Sequence, residues 1–143
     1  MRGFTTIELI VVLVLTAIMA AVAMPRLTER TTLQQRGARD HLRSMLAYSR
    51  QVAMTQQREV CVLATPAQAR AVYVSAGACN GALPLADPAR TGPYQIDMPN
   101  GVALSGAALV RFNARGQLVP AADRTLQVGT LPITVARETG LAL

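Results

Sequence analysis

Glu8 is the residue whose type and position most clearly suggest chemistry in this chain. It is the only charged residue between positions 4 and 24. A carboxylate within an apolar helix costs a few kcal/mol in a membrane and usually marks a pairing or a function. If the chain were cut after Gly3, the new amine of Phe4 would lie four residues before Glu8, about one helical turn. A like helix alongside could then offer its own amine to Glu8; the alternative is a carboxylate that reaches the lipid headgroups.

The two cysteines, Cys61 and Cys79, are the second pair of residues with chemical potential. They fit a single disulfide in an oxidising compartment, which would contribute about 3 kcal/mol by closing the loop between them. Two buried free thiols are the alternative, because isolated cysteines are also common in reduced proteins.

Catalytic residue patterns are missing from the sequence. His41 is the single histidine, and it lies in an arginine-rich stretch with no cysteine near it. There is no glycine-rich phosphate loop, no paired metal-ligand spacing and no G-x-S-x-G motif. The sequence therefore predicts a protein that is not an enzyme and that binds neither a metal nor a cofactor.

Arginine supplies all of the positive charge, since the chain contains no lysine and has a formal net charge of +6. Such a charge attracts nucleic acid, anionic lipid or acidic proteins without choosing among them. Arg36, Arg43 and Arg50 are spaced by sevens, with Arg39 close by, and form a basic ridge on the predicted helix. The ridge is either a solvated face or a surface for an acidic neighbour or polyanion.

The element that must position Glu8 is the uncharged run around it. As a helix, residues 4–24 would extend roughly 31 Å, long enough to cross a bilayer. A cleaved export signal with Arg2 in its basic region and a cut after Ala23 is the rival interpretation, although an acidic residue is rare in such a signal. Arg26 and Arg30 follow the run, and by the positive-inside rule they would keep the body in the cytoplasm, in conflict with the cysteines.

The remaining elements are a continued helix and a set of short strands. Pro25 predicts a kink or break at the end of the apolar run. An apolar stripe at helical spacing predicts helix over 29–57, with one face in the core. Short runs rich in valine and leucine, broken by Gly, Pro and Asn, predict strands at 59–65, 70–75, 94–98, 102–104, 109–113, 117–119, 125–128 and 133–137. Residues 77–93, with three glycines and three prolines, predict a long surface loop, and 113–116 a tight turn.

Residues 3–9, "GFTTIEL", resemble the prepilin signature of type IV pilins and type II secretion pseudopilins, G-F-T-L-I-E-L. The resemblance implies that a prepilin peptidase cuts between Gly3 and Phe4 and methylates the Phe4 amine. It also implies that Glu8 acts in subunit assembly, that Pro25 kinks a continuing helix, and that the body lies outside the cytoplasm. Thr6, where the family most often has Leu, is a departure from the signature.

Three further segments resemble the minor-subunit branch that includes GspH, FimT and MSHA-type proteins: "AYSRQVAMTQQREVCV" (47–62), "RFNARGQL" (111–118) and "ITVARETG" (133–140). The implied fold class is α+β: a pilin fold with a leader at 1–3, a membrane-spanning assembly helix at 4–24, its continuation at 25–57 and an antiparallel body at 58–143. The implied localisation is the bacterial inner membrane, with the body in the periplasm and later in a pilus or pseudopilus. The implied partners are the peptidase, other pilin or pseudopilin subunits and an inner-membrane assembly platform.

Nucleic-acid binding is a separate hypothesis. Some FimT-like proteins bind DNA through a Gly-Arg-x-Arg motif near the carboxyl end, but this chain has Ala-Arg-Glu-Thr-Gly at 136–140. The hypothesis therefore rests on charge alone, with a DNA-binding or adhesive subunit at the filament tip as the alternative function. The candidate contacts are Arg111, Arg115, Arg124 and Arg137.

Overall fold

The computed structural model of the protein describes the backbone of residues 5–143 and their side chains except those of 21–29. Helix α1 runs from Thr6 to Gln56 without interruption. It ends where Gln57 takes a left-handed φ of 52° and the Arg58 amide donates to the Ala53 carbonyl. The predicted kink at Pro25 falls within 21–29 and stays a prediction.

Two compact units divide the chain, one ending at Leu33 and the other running from Gln34 to Leu143. The eight strands found among the described residues lie in the second unit, the body. In chain order they are β1 (Val60–Thr65), β2 (Gln68–Ser75), β3 (Ala78–Pro84), β4 (Gln95–Asp97), β5 (Leu104–Gly106), β6 (Leu109–Phe112), β7 (Arg124–Val128) and β8 (Leu131–Val135).

The strands form two antiparallel sheets. The first has the order β3-β2-β1-β6, and β4 shares the outer edge of β2 with β3. The second has the order β5-β7-β8. A bridge between Val135 and Ala142 then lays the carboxyl-terminal tail, residues 136–143, along β8.

One predicted loop and one predicted strand were wrong, and the strand predicted at 102–104 lies at Leu104–Gly106 instead. Residues 77–93 contain strand β3, which pairs with the open edge of β2 after a turn in which Ala76 and Gly77 both have positive φ. The hydrogen bonds gained at the free edge of β2 outweigh the low strand propensity of Gly and Asn. Pro84 is tolerated because it is the last residue of the strand.

The predicted strand at 117–119 is only a single bridge between Leu118 and Phe112. The Leu118 amide donates to the Arg137 carbonyl instead, and Pro120 has no amide to donate.

A single aliphatic core joins the helix to both sheets. The predicted stripe of Leu42, Met45, Leu46, Val52 and Ala53 is buried, as is Ser49. It packs with residues from the first sheet, among them Phe112, and from the second, among them Ile133. Full burial of such side chains contributes about 1.5–3 kcal/mol each, so this stripe fixes the body on the helix.

The segment after β3 is held to the same helix by an aromatic pair. Tyr94 packs edge-to-face on Tyr48 of α1, with ring centroids 5.7 Å apart. The Tyr94 amide donates to the Leu85 carbonyl and its own carbonyl accepts from Ala71 of β2. Partial burial raises the pKa of the Tyr94 hydroxyl, and the negative charge of Asp87 adds to the effect.

Two glycines allow the tail to approach α1 closely. Gly116, in the predicted turn at 113–116, has a φ of 75°, and a Cβ there would come 2.7 Å from the Met54 sulfur. Gly140 has a φ of 64°, and a Cβ there would collide with the Gly116 carbonyl oxygen and come 3.0 Å from Cδ of Arg50. Each of the three segments that resemble the minor-subunit branch therefore contributes a residue to one tightly packed contact.

We predict that Gly140→Ala lowers the free energy of unfolding by about 3 kcal/mol, since it combines left-handed strain with a backbone collision. Gly101→Ala is the matched control: Gly101 has a φ of 81° but its Cβ would point into open space. The control is expected to cost about 1 kcal/mol from backbone strain alone. Denaturant unfolding of the full chain in detergent measures both, and equal losses would contradict the close packing of Gly140.

Candidate functional site

Glu8 lies in the first turn of α1, three residues after the residue that caps it. The Glu8 amide donates to the Thr5 carbonyl at 3.1 Å and to the Thr5 hydroxyl at 3.4 Å, so Thr5 acts as the N-cap. A negative charge in the first turn is also favoured by the helix dipole. The pattern T-x-x-E at 5–8 is that of a capping box, a signal in the sequence that the spacing argument for Glu8 missed. A local role in starting the helix is thus a real alternative to a role in assembly.

The surroundings of Glu8 go beyond what a helix cap requires. Its side chain is exposed and forms no ion pair with any residue that the structure describes. Ten large apolar side chains between Ile7 and Met19 are each at least 49% exposed. Covering them would contribute on the order of 10 kcal/mol. This carboxylate therefore belongs to an apolar surface that nothing in the described chain covers.

Among the residues that the structure describes, none of the helices has both the length and the apolar character needed to cross a membrane.

Gly3 and Phe4, the predicted sites of cleavage and methylation, lie outside the described residues. The alternative cut after Ala23 also falls within the range whose side chains are not described.

The structure joins Cys61 and Cys79 in a disulfide, with their Cα atoms 6.0 Å apart. Cys61 is fully buried in β1, between β2 and β6. Cys79 lies in β3, just after the turn at Ala76 and Gly77. The disulfide thus ties the turn between β2 and β3 to the centre of the first sheet.

Arg111, a candidate for nucleic-acid contact, is engaged within the body. Its guanidinium forms a salt bridge with Glu59 and donates to the Gly77 carbonyl at 3.2 Å. Arg111 therefore holds the same turn that the disulfide anchors. A carboxylate partner lowers its capacity to attract a phosphate.

The other three candidates lie in different settings. Arg115 is exposed in the turn after β6, and Arg124 is half-buried at the start of β7. Arg137 lines an open groove of about 460 Å³ with Asn113 and Gln117, and its side chain lies 3.6 Å from Glu138. None of the other three candidates lines that groove, so binding of nucleic acid by these four arginines stays a prediction.

In the part of the chain that the structure describes, no cluster of three or more histidine, cysteine or carboxylate residues is arranged to hold a metal ion.

The fold of this chain is shared with two solved structures. Two crystal structures of the type IV minor pilin FimU from Pseudomonas aeruginosa PAO1 match the chain, each with a TM-score of 0.57. One is 18% identical and covers 76% of this chain and 90% of its own; the other is 19% identical and covers 79% and 88%. No protein-family model and no curated protein sequence matches. The matches confirm the predicted fold class, an α+β pilin fold.

We predict that Arg111 contributes to stability whereas Arg115 does not. Arg111→Gln should lower the free energy of unfolding by about 2 kcal/mol, because it removes a partly exposed ion pair and a hydrogen bond to the Gly77 carbonyl. Glu59→Gln should cost about 1 kcal/mol, since it removes the ion pair alone.

Arg115→Gln, the matched control, should change stability by less than about 0.5 kcal/mol. Thermal unfolding of the three variants gives the comparison. Equal effects of Arg111→Gln and Arg115→Gln would contradict the anchoring role of Arg111.

Proposed function

We propose that this chain is a minor subunit of a type IV pilus or of a type II secretion pseudopilus, assembled through its amino-terminal helix. The observation that carries the proposal is the exposed apolar surface between Ile7 and Met19, at whose start the Glu8 carboxylate has no ion-pair partner among the described residues. The fold shared with FimU and the signature at 3–9 support it.

The helix surface suits two successive environments. Before assembly, apolar side chains favour a lipid environment, and we propose that the chain waits in the bacterial inner membrane with its body in the periplasm. The Cys61–Cys79 disulfide supports that location, because disulfides persist in an oxidising compartment. After assembly, the same side chains would pack against the helices of neighbouring subunits.

Glu8 gives this packing a fixed register. We propose that a prepilin peptidase removes residues 1–3 and methylates Phe4, and that an inner-membrane platform then docks the subunit. The amine of a neighbour's Phe4 would pair with Glu8. A buried ion pair costs desolvation on both sides and is tolerated only with good geometry, so it disfavours any register that leaves either charge alone.

Glu8 variants separate assembly from helix capping. Glu8→Gln keeps the size of the side chain and suits a capping box as well as Glu does, but it removes the charge. We expect Glu8→Gln to be produced and inserted at normal levels yet to appear in sheared filaments at about one-tenth of the wild-type level or less, since a lone buried amine costs roughly 3–5 kcal/mol.

Thr5→Ala is the matched control, because it removes the cap at a cost of about 1 kcal/mol and keeps the carboxylate. It should still be incorporated. Immunoblots of filament and membrane fractions from the producing cells measure both variants. Normal incorporation of Glu8→Gln would refute the pairing, and loss of Thr5→Ala with retention of Glu8→Gln would assign Glu8 to capping.

A further inference from the structure

Three of the four arginines of the basic ridge lie against the carboxyl-terminal end of the body. Arg39 donates through Nε to the Pro132 carbonyl in β8 at 3.2 Å. Arg43 donates through Nη2 to the Ala142 carbonyl in the tail, also at 3.2 Å. Arg50 packs under Gly140, as described above. The ridge therefore holds β8 and the tail through neutral carbonyl groups.

A groove of about 300 Å³ opens between this ridge and the tail. Arg43, Ser44, Ala47 and Arg50 line it from the helix, and residues 140–142 line it from the tail. The lining combines two cations and a hydroxyl with the apolar surfaces of Ala47 and of the tail. A ligand with an aliphatic stem and an anionic end matches both parts.

In the described part of the chain, no carboxylate forms an ion pair with the arginines of the groove. Neither Arg43 nor Arg50 lies within 4 Å of a side-chain carboxylate or of the chain's terminal carboxylate there. Among the residues that the structure describes, the buried Nε of Arg50 also lacks a hydrogen-bond partner. An incoming carboxylate would give the two guanidinium groups an ionic partner, and hydrogen bonds to charged groups contribute about 1.5–3 kcal/mol.

We propose that the groove between Arg43, Arg50 and the tail binds an acidic side chain, glutamate in particular, from a neighbouring protein. The size of the groove and its wall of alanine and tail residues favour one side chain with an aliphatic stem over a nucleic-acid strand, which needs an open row of cations. That the neighbour is another filament subunit rests on the proposed function. The preference of the groove for an acidic side chain does not depend on that function.

Ala47 offers a sharp test because it lies four residues after Arg43 and three before Arg50 on the same helix. Ala47→Glu places a carboxylate between the two arginines, at the spacings where helical ion pairs form, and so neutralises their charge from within the chain. Ala47→Gln has the same size without the charge. Ala47 is exposed, so neither variant disturbs the core.

The probe is a fluorescent peptide of alternating Glu and Ala, titrated against the full chain in detergent and followed by anisotropy. We expect saturable binding to wild type and to Ala47→Gln, and binding weaker by about tenfold or more in Ala47→Glu and in Arg50→Gln. Arg90→Gln, which removes one exposed charge elsewhere, should bind as wild type does. The same peptide with Gln in place of Glu should not bind.

Three outcomes would overturn the proposal: no binding of the acidic peptide to wild type, equal binding to Ala47→Glu and Ala47→Gln, or a loss in Arg90→Gln equal to that in Arg50→Gln. The groove would be reassigned to nucleic acid if an oligonucleotide of the same charge bound wild type more tightly than the peptide does and bound the Ala47→Glu variant more weakly than wild type. Because the titration needs no filament, its failure is distinguishable from a failure of the Glu8 variants, which tests the proposed function.

Discussion

Burial of one stripe of α1 against both sheets is the interaction on which the rest of the body depends. Leu42, Met45 and Leu46 have no exposed surface, and they share a core with Phe112 of the first sheet and Ile133 of the second. With that face fixed, the neighbouring face of the helix carries its arginines to β8 and the tail. The tail can approach so closely only because residues 116 and 140 are glycines. The disulfide and Arg111 then secure the turn between β2 and β3.

The apolar side chains at the two ends of the same helix differ in their exposure to water. Between Leu42 and Ala53, the apolar side chains on one face of the helix are removed from water by the chain's own sheets. Between Ile7 and Met19, side chains of the same kind remain exposed, and the described chain offers nothing to cover them. A protein that kept such a surface without a use for it would aggregate. The use that we propose is membrane residence followed by helix packing in a filament, with Glu8 restricting how that packing occurs.

The sequence predicted most where one local signal dominated. The stripe in 29–57 and the glycine of the turn at 113–116 follow from periodicity and from the need for positive φ, and both appear in the structure. Strand β3 was missed because its Gly, Asn and Pro residues favour a loop locally, and only the open edge of β2, a nonlocal feature, makes it a strand. The spacing of the ridge arginines was visible in the sequence, but the carbonyl partners of Arg39 and Arg43 lie 93 and 99 residues away in the chain. The capping pattern that begins at Thr5 is also visible in the sequence, but the prepilin signature at 3–9 offers a more specific explanation for Glu8.

The central claim is that the amino-terminal helix is retained as an assembly element after a cut that exposes the amine of Phe4. Intact-mass and terminal-peptide mass spectrometry of the protein purified from the producing cells tests this claim most directly. We expect a mature chain that begins at Phe4 with a methylated amine. A mature chain that begins at Met24 would make the helix a discarded export signal, and one that keeps Met1, Arg2 and Gly3 would leave Glu8 without the partner proposed for it; either result would contradict the account.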